Sequence, residues 1–186
     1  MVQERTRKIV ITGVLSAISI FLGVTRLGFI PWFSGVSLTI MHVPVIIGAV
    51  LEGPVVGFAI GLIFGVFSLI QAAVAPTGPT VVLFTNPLIS VLPRLFIGPI
   101  SWLFYRALKN WRIPALIVSG IVGSLTNTIL VLGMIGVLDS AFWAAIPPII
   151  LGNGLPEAVA ASVLVVSIVS IWHQIGQKGK KKGSAF

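Results

Sequence analysis

The sequence predicts an all-α integral membrane protein with six transmembrane helices, and two observations support this prediction. Of the 186 residues, 56% are apolar and 9% are charged, whereas roughly 25% of the residues of a soluble domain are charged. Uncharged runs extend over 27–51, 53–93 and 113–138. Because a helix of about 20 apolar residues crosses a bilayer, these runs exclude an ordinary soluble enzyme. We expect a single membrane domain over 1–186.

The first half of the chain contains three predicted helices. Residues 8–25 are apolar over a length that spans a bilayer, and the loop 26–37 that follows holds an arginine, a proline and two glycines. A shorter helix over 38–51 contains a proline, and neighbouring helices can accommodate the resulting kink in a membrane. A Glu-Gly-Pro turn separates this helix from the third one, over 54–75.

The second half contains three more predicted helices. The uncharged run 53–93 must hold more than one crossing, because its 41 residues would form a helix about 60 Å long, twice the hydrocarbon thickness. The PTGPT cluster at 76–80 is a turn signal that divides the run. The remaining helices are predicted over about 86–108, 114–137 and 148–173, followed by a basic tail over 174–186.

The basic residues predict the orientation of these helices. They cluster before the first helix, between the fourth and fifth helices, and in the C-terminal tail. With six crossings, these three groups lie on one side, which the positive-inside rule makes cytoplasmic. Both termini are therefore predicted to be cytoplasmic. Since the net charge of +8 flanks the helices, it indicates contact with membrane lipid and no nucleic-acid partner.

Polar residues inside the apolar helices identify a candidate binding site, because an ionisable group in a membrane is costly. Arg94 and Glu157 lie at comparable depth in the fourth and sixth helices, and Asn153 precedes Glu157 by one turn on the same face. The other polar residues of the outer half are Asn127, Asn86, Gln71 and His42. Their shared depth predicts a polar cavity that opens to the outside and is walled mainly by helices four to six.

Each of these residues also has a structural interpretation. Arg94 and Glu157 would neutralise one another as an ion pair, and amide side chains often join helices by hydrogen bonds. His42 would be a packing residue, and Asn86, which precedes a proline, would cap a helix. Trp32, beside Phe in the loop 26–37, is either an aromatic lid over the cavity or an anchor at the membrane interface.

Small residues form two helix faces on which another helix can pack closely in lipid. Gly13 and Ala17 lie one turn apart on the first helix, and Gly57, Gly61 and Gly65 repeat the spacing on the third. We expect the face of the third helix to pack internally. The face of the first helix either packs internally or contacts another protein.

The sequence lacks the residues of several kinds of chemistry. It contains no cysteine, which excludes disulfides and thiolate metal sites, and its two histidines do not make a histidine-rich metal site. It has no Walker lysine loop for ATP and no metalloprotease or serine-hydrolase motif. We therefore predict no enzyme, no metal and no cofactor.

Two stretches carry a resemblance to a known family. The first, over 27–72, contains the motifs IMHVPV, LEGP and GLIFG, and the second, over 82–98, contains TNPLISVLPR. These stretches resemble the substrate-binding S component of energy-coupling factor (ECF) vitamin transporters, and the second is most similar to pantothenate-type members. The resemblance extends over essentially the whole chain, as six helices with both ends inside.

The resemblance implies a subunit in the plasma membrane of a bacterium or archaeon that captures a vitamin from outside in an outward-facing cavity. It implies a complex with a transmembrane coupling subunit and two ATP-binding subunits. Gly13 and Ala17 would form the docking face for the coupling subunit, with Phe21 where another small residue is expected. Arg94 would bind an acidic substrate such as pantothenate, although folate, cobalamin and riboflavin stay open.

Two other functions are compatible with a small six-helix membrane protein. One is a stand-alone secondary carrier or channel for a small polar solute, which would move its substrate in liposomes without ATPases. The other is a membrane enzyme, which would need a nucleophile or a metal cluster that the sequence lacks.

Overall fold

Prolines and glycines between apolar runs determine where most helices begin in the computed structural model. It describes residues 2–30, 38–76 and 79–183, with side chains except at 79–80 and 175–183. The helices are α1 Val2–Val24, α2 Val43–Glu52, α3 Pro54–Val74, α4 Pro87–Ser90, α5 Leu92–Ala107, α6 Arg112–Leu138, α7 Ile146–Ile149 and α8 Leu155–Gly183. Helices α2, α3, α4, α5 and α7 have a proline in their first turn, where its missing N–H has no helical partner to lose.

Short elements connect these helices. Strands β1 Phe29–Ile30 and β2 Leu38–Thr39 pair antiparallel between α1 and α2, with Phe29 opposite Thr39. The other short elements are the 3-10 helices Pro79–Thr85 and Ser140–Ala145 and the π-helix Ile150–Gly154, which runs directly into α8.

The all-helical prediction is confirmed, and within the described residues five helical stretches are long and apolar enough to cross a membrane. They are Val2–Val24, Pro54–Val74, Pro87–Ala107, Arg112–Leu138 and Ser140–Gln174. The second predicted helix differs from the prediction, because residues 38–42 form β2 and a turn, and α2 has only 10 residues. A helix of that length rises about 15 Å, half the hydrocarbon thickness. All residues from Val43 to Val50 are buried, so α2 is enclosed by protein and does not need to span lipid.

The predicted ends of the first and sixth helices also differ from the structure, and the start of the sixth, predicted at 148, is divided into α7, the π-helix Ile150–Gly154 and α8. Helix α1 begins at Val2, before the predicted residue 8, and α8 continues to Gly183 through the segment predicted as a tail. The length of the apolar run underestimates the length of both helices, because lysine, arginine, glutamine and glutamate are good helix formers and extend a helix beyond the hydrocarbon.

Helix α2 lies at the centre of the bundle, where it contacts α1, α3, α5, α6 and α8. Its side chains Val45, Ile46 and Ile47 are buried in the main apolar cluster. The start of α1 and the end of α2 meet at one end of this cluster, where Arg7 and Glu52 form an ion pair of 2.6 Å. The end of α1, the strands β1 and β2 and the end of α3 lie at the opposite end of the bundle, which we call the cavity end.

The small face of α3 packs against α5, as expected. A Cβ atom at Gly57 would lie 2.9 Å from the Cα of Gly98, and one at Gly65 would lie 2.8 Å from the Cα of Val91. A Cβ at Gly61 would overlap the carbonyl oxygen of Arg94. The two backbones therefore approach as closely as only glycine permits.

Replacing Gly61 with alanine is expected to destabilise the protein by about 1–3 kcal/mol, because the added methyl group forces α5 away from α3. Thermal unfolding of the purified protein in detergent measures this effect. Gly133→Ala is the matched control, since a Cβ there meets no atom of the described residues within 4 Å and alanine is the better helix former. Equal melting temperatures for the two variants would contradict the close packing.

Candidate functional site

A cavity of about 610 Å³ lies at the cavity end, between the strands β1 and β2, α3, the 3-10 helix Pro79–Thr85 and the start of α5. Pockets that enclose a small organic molecule have volumes of roughly 300–1,000 Å³. The described lining contains two cationic side chains and no carboxylate, beside aromatic and aliphatic groups. Its polar residues are Arg26, Thr39, Ser68, Gln71, Arg94 and Asn127. Such a lining favours an anion that also has an apolar part.

Arg94 is held in this cavity by a break in the helix that carries it. Pro93 has no N–H, so the carbonyl of Ile89, four residues earlier, receives no helical hydrogen bond from it. The Nη1 atom of Arg94 donates to that carbonyl instead. The guanidinium carbon lies 5.5 Å from the ring centroid of Phe64 and 5.0 Å from that of Phe84, in cation–π distance of both. Backbone and aromatic contacts thus fix the guanidinium before any ligand binds.

Two buried polar atoms of the lining have no hydrogen-bond partner among the described residues. One is the Nε donor of Arg94, whose side chain is 5% exposed, and the other is the Oδ1 acceptor of Asn127 on α6. A buried polar group without a partner costs about 1–3 kcal/mol. A ligand that accepts from Arg94 and donates to Asn127 would remove both costs.

Arg26 and Gln71 lie where α1 ends beside α3. Arg26 is exposed and adopts the left-handed backbone conformation, with φ of 61°, that stops α1. Gln71 donates from Nε2 to the carbonyl of Gly23 at 3.0 Å and so joins α3 to the last turn of α1. The sequence signal for Arg26 was its position in the outer half, but it was not among the predicted site residues.

Glu157 is buried, with a side chain that is 6% exposed, and it does not line the cavity. Its Oε1 accepts a hydrogen bond from the backbone N–H of Thr39 at 2.7 Å. Its Oε2 lies 3.5 Å from Thr128 Oγ1, whose hydroxyl is also 3.2 Å from the Ser124 carbonyl oxygen to which it donates. Among the described residues, no ion pair joins Glu157 to Arg94. The carboxylate therefore connects α8 to β2 and α6, behind the cavity wall.

The other predicted residues are dispersed. Asn153, in the π-helix, is buried and does not line the cavity. Asn86 caps α4 by accepting from the Leu88 N–H at 3.0 Å, beside a separate cavity of about 290 Å³. His42 is fully buried at the start of α2, and neither ring nitrogen has a hydrogen-bond partner within the described part of the chain. Trp32 lies outside the described residues.

The prediction that helices four to six form most of the wall is wrong for this cavity. Arg94 and Asn127 come from those helices, whereas α3 contributes a stripe of Phe64, Ser68, Gln71 and Ala72 at helical spacing. A polar residue in an apolar sequence indicates depth along its helix but not the direction it faces. Direction is set by the glycine face of α3, which turns the neighbouring stripe toward the cavity.

The face of α1 with Gly13 and Ala17 is exposed. A Cβ at Gly13 would meet no atom of the described structure within 4 Å, and the neighbouring Val14 and Phe21 are also exposed. This face is therefore not covered by the described part of the chain. Within the same part, no group of three or more histidine, aspartate or glutamate residues is arranged to hold a metal ion.

Comparison with known proteins gives a consistent result. The family model for the substrate-specific component of ECF transporters matches residues 7–169. The chain is 30% identical over 157 residues to the pantothenic acid transporter PanT of Lactococcus lactis subsp. cremoris, which covers 74% of this chain and 79% of that protein. It is 28% identical over 204 aligned positions to the pantothenate transporter PanT of Leuconostoc mesenteroides subsp. mesenteroides, covering 98% and 100% of the two chains.

Proposed function

The chain belongs to the substrate-specific components of ECF transporters, and from that premise we propose that it binds pantothenate in the 610 Å³ cavity and delivers it to an ATP-driven importer. The observation that carries this proposal is the preorganised Arg94, buried in a cavity that has two cations and no carboxylate in its described lining. Two relatives that are pantothenate transporters by name support the choice of vitamin.

The chemistry of pantothenate complements the polar lining. Its carboxylate would accept from the free Nε of Arg94, which removes the cost of that unpartnered donor. A hydroxyl or amide N–H of the ligand would donate to Asn127 Oδ1, and its dimethyl group would contact the aromatic part of the lining. Gln71, which already bonds to Gly23, would contribute its carbonyl oxygen.

The proposed orientation has the cavity open to the outside of a bacterial plasma membrane and both termini in the cytoplasm. The charges of the two ends support it. Arg7, Arg106 and Arg112 lie at the end opposite the cavity, whereas Arg26 and Arg94 are the described cations of the cavity end. Cytoplasmic loops carry the excess of lysine and arginine in membrane proteins.

The proposed partners are a transmembrane coupling subunit and two ATP-binding subunits, with the exposed face of α1 at Gly13 and Ala17 as the docking surface. Small residues allow another helix to approach the backbone closely in lipid. The chain itself has no ATP-binding motif, so the energy for import would come from those partners.

Transport in liposomes tests this function against a stand-alone carrier or channel. We expect vesicles that contain the purified chain alone to bind radiolabelled pantothenate without accumulating it. Addition of the coupling and ATP-binding subunits with enclosed ATP should start accumulation. Equilibration of pantothenate by the chain alone would instead identify a carrier.

Replacing Arg26 with glutamine is expected to lower the association rate several-fold at low salt. Arg26 is exposed at the mouth of the cavity, and long-range attraction acts mainly on the encounter with a charged ligand. The difference should shrink at about 1 M salt, where the Debye length is about 3 Å. Stopped-flow fluorescence measures the rate, with Lys109→Gln at the opposite end as control. An association rate that is equal to wild type at low salt would contradict the role of Arg26.

A further inference from the structure

We propose that Glu157 is a positioning residue that holds the cavity wall through Thr39 and does not itself touch the substrate. This inference rests on the proposed function, because it assigns a role in forming the pantothenate cavity. Thr39 lines the cavity, whereas Glu157 does not. The bond between them joins residues 118 positions apart in the sequence.

The Glu157 carboxylate is committed to protein groups. Its Oε1 accepts from the Thr39 N–H at 2.7 Å, a distance typical of strong charge-assisted hydrogen bonds, and its Oε2 faces the Thr128 hydroxyl at 3.5 Å. No cation forms an ion pair with it among the described residues. A buried carboxylate that accepts a hydrogen bond from a backbone N–H stabilises the segment to which that N–H belongs.

That segment is β2, which pairs with β1, and the two strands form part of one wall of the cavity. Thr39 in β2 lies opposite Phe29 in β1, and both residues line the cavity. On the side of α1, the Ser19 hydroxyl donates to the carbonyl of Met41 at 3.1 Å. On the side of α6 and α8, the described hydrogen bond to this segment is the one from Thr39 to Glu157. Loss of that bond would free the wall on one side.

The start of α8 is built to bring Glu157 to this position. A Cβ at Gly154 would lie 3.2 Å from the Cγ2 of Thr128, so the glycine allows α8 to approach α6 closely. Glu157 follows the glycine by about one turn and meets Thr128 on the same face.

Three substitutions at Glu157 distinguish the effect of the position of the acceptor oxygen from the effect of the negative charge. Glu157→Gln keeps an acceptor oxygen at the same reach and removes the charge. Glu157→Asp keeps the charge and withdraws it by one methylene, and Glu157→Leu removes the acceptor at similar volume. We expect the Gln variant to bind pantothenate within about threefold of wild type, and the Asp and Leu variants to bind at least about tenfold more weakly. Isothermal titration of the full chain in lipid nanodiscs measures the affinities.

A ligand-free distance measurement shows whether the effect passes through the wall. Because the chain has no native cysteine, spin labels at Ile30→Cys on β1 and Val159→Cys on α8 report one distance. Both sites are exposed. We expect the same narrow distribution for wild type and Glu157→Gln, and a broadened or shifted one for Glu157→Asp and Glu157→Leu.

Three results would overturn the inference. Equal loss of affinity in the Gln and Leu variants would mean that the charge is required. Loss of affinity in the Leu and Asp variants with an unchanged distance distribution would mean that the carboxylate contacts the ligand. Wild-type affinity in the Leu variant would leave Glu157 without a role in the cavity. Failure of the wild-type chain to bind pantothenate would refute the proposed function instead, while the distance measurement would still test the contact between Glu157 and β2.

Discussion

Replacing Arg94 with glutamine is expected to lower the affinity for pantothenate by at least about tenfold, because a lost hydrogen bond to a charged group costs about 1.5–3 kcal/mol. Arg94→Lys should fail as well. A lysine keeps the charge but lacks the planar guanidinium, which lies within cation–π distance of both Phe64 and Phe84 while its Nη1 donates to the Ile89 carbonyl. Isothermal titration with the purified protein measures both losses.

The matched control is Arg106→Gln. Arg106 also stacks on an aromatic ring, that of Trp102 at 5.1 Å, but it lies at the opposite end of the bundle. Its variant should bind pantothenate as wild type does. A second ligand, pantothenol, has a primary alcohol in place of the carboxylate. Comparing the two ligands distinguishes a loss of carboxylate binding from a loss of folding.

Wild type should prefer pantothenate to pantothenol, and Arg94→Gln should bind the two with similar affinity. If the Arg94 variant keeps the wild-type preference, the carboxylate does not bind there. If it is recovered only as aggregate, whereas Arg106→Gln is folded, Arg94 has a structural role.

Replacing Gly13 or Ala17 with leucine is expected to abolish ATP-driven uptake while leaving pantothenate binding by the isolated chain unchanged. The face that carries them is exposed and does not line the cavity, so a larger side chain there would not contact the bound ligand. In lipid, helix association depends on close packing, which a bulky residue blocks. Uptake in proteoliposomes and co-purification with the coupling subunit measure the effect.

Gly133→Leu on α6 is the control for this experiment, because a Cβ at Gly133 also has no neighbour within 4 Å in the described part of the chain. It should retain both uptake and co-purification. Intact uptake in the Gly13 and Ala17 variants would show that the coupling subunit docks elsewhere.

The helical architecture was predictable because it follows from local properties of the sequence. Apolar length and turn signals together predict the long helices, and the spacing of Gly57, Gly61 and Gly65 predicts the face on which α3 meets α5. The start of α2 was not predictable in the same way. Residues 38–42 are as apolar as the residues of a membrane helix. Their conformation depends instead on pairing with β1 and on burial among other helices.

The sequence predicted how deep the polar residues of the candidate site lie along their helices, but not which groups they contact. Arg94 and Asn127 were identified because polar groups are costly inside apolar helices, and both line the cavity. The partner of Glu157 is a backbone N–H, which every residue except proline carries, so no side-chain pattern indicates it. Arg26 lies in a loop, where an arginine is ordinary, and its relation to the cavity depends on how α1 ends.

The central claim, that this chain captures pantothenate through Arg94, is tested most directly by titrating the purified chain alone with pantothenate. The account predicts saturable binding at one site without ATP or partner subunits, and an affinity that is at least about tenfold lower in Arg94→Gln but unchanged in Arg106→Gln. A folded wild-type protein that does not bind pantothenate, or that prefers an uncharged vitamin, would contradict the account.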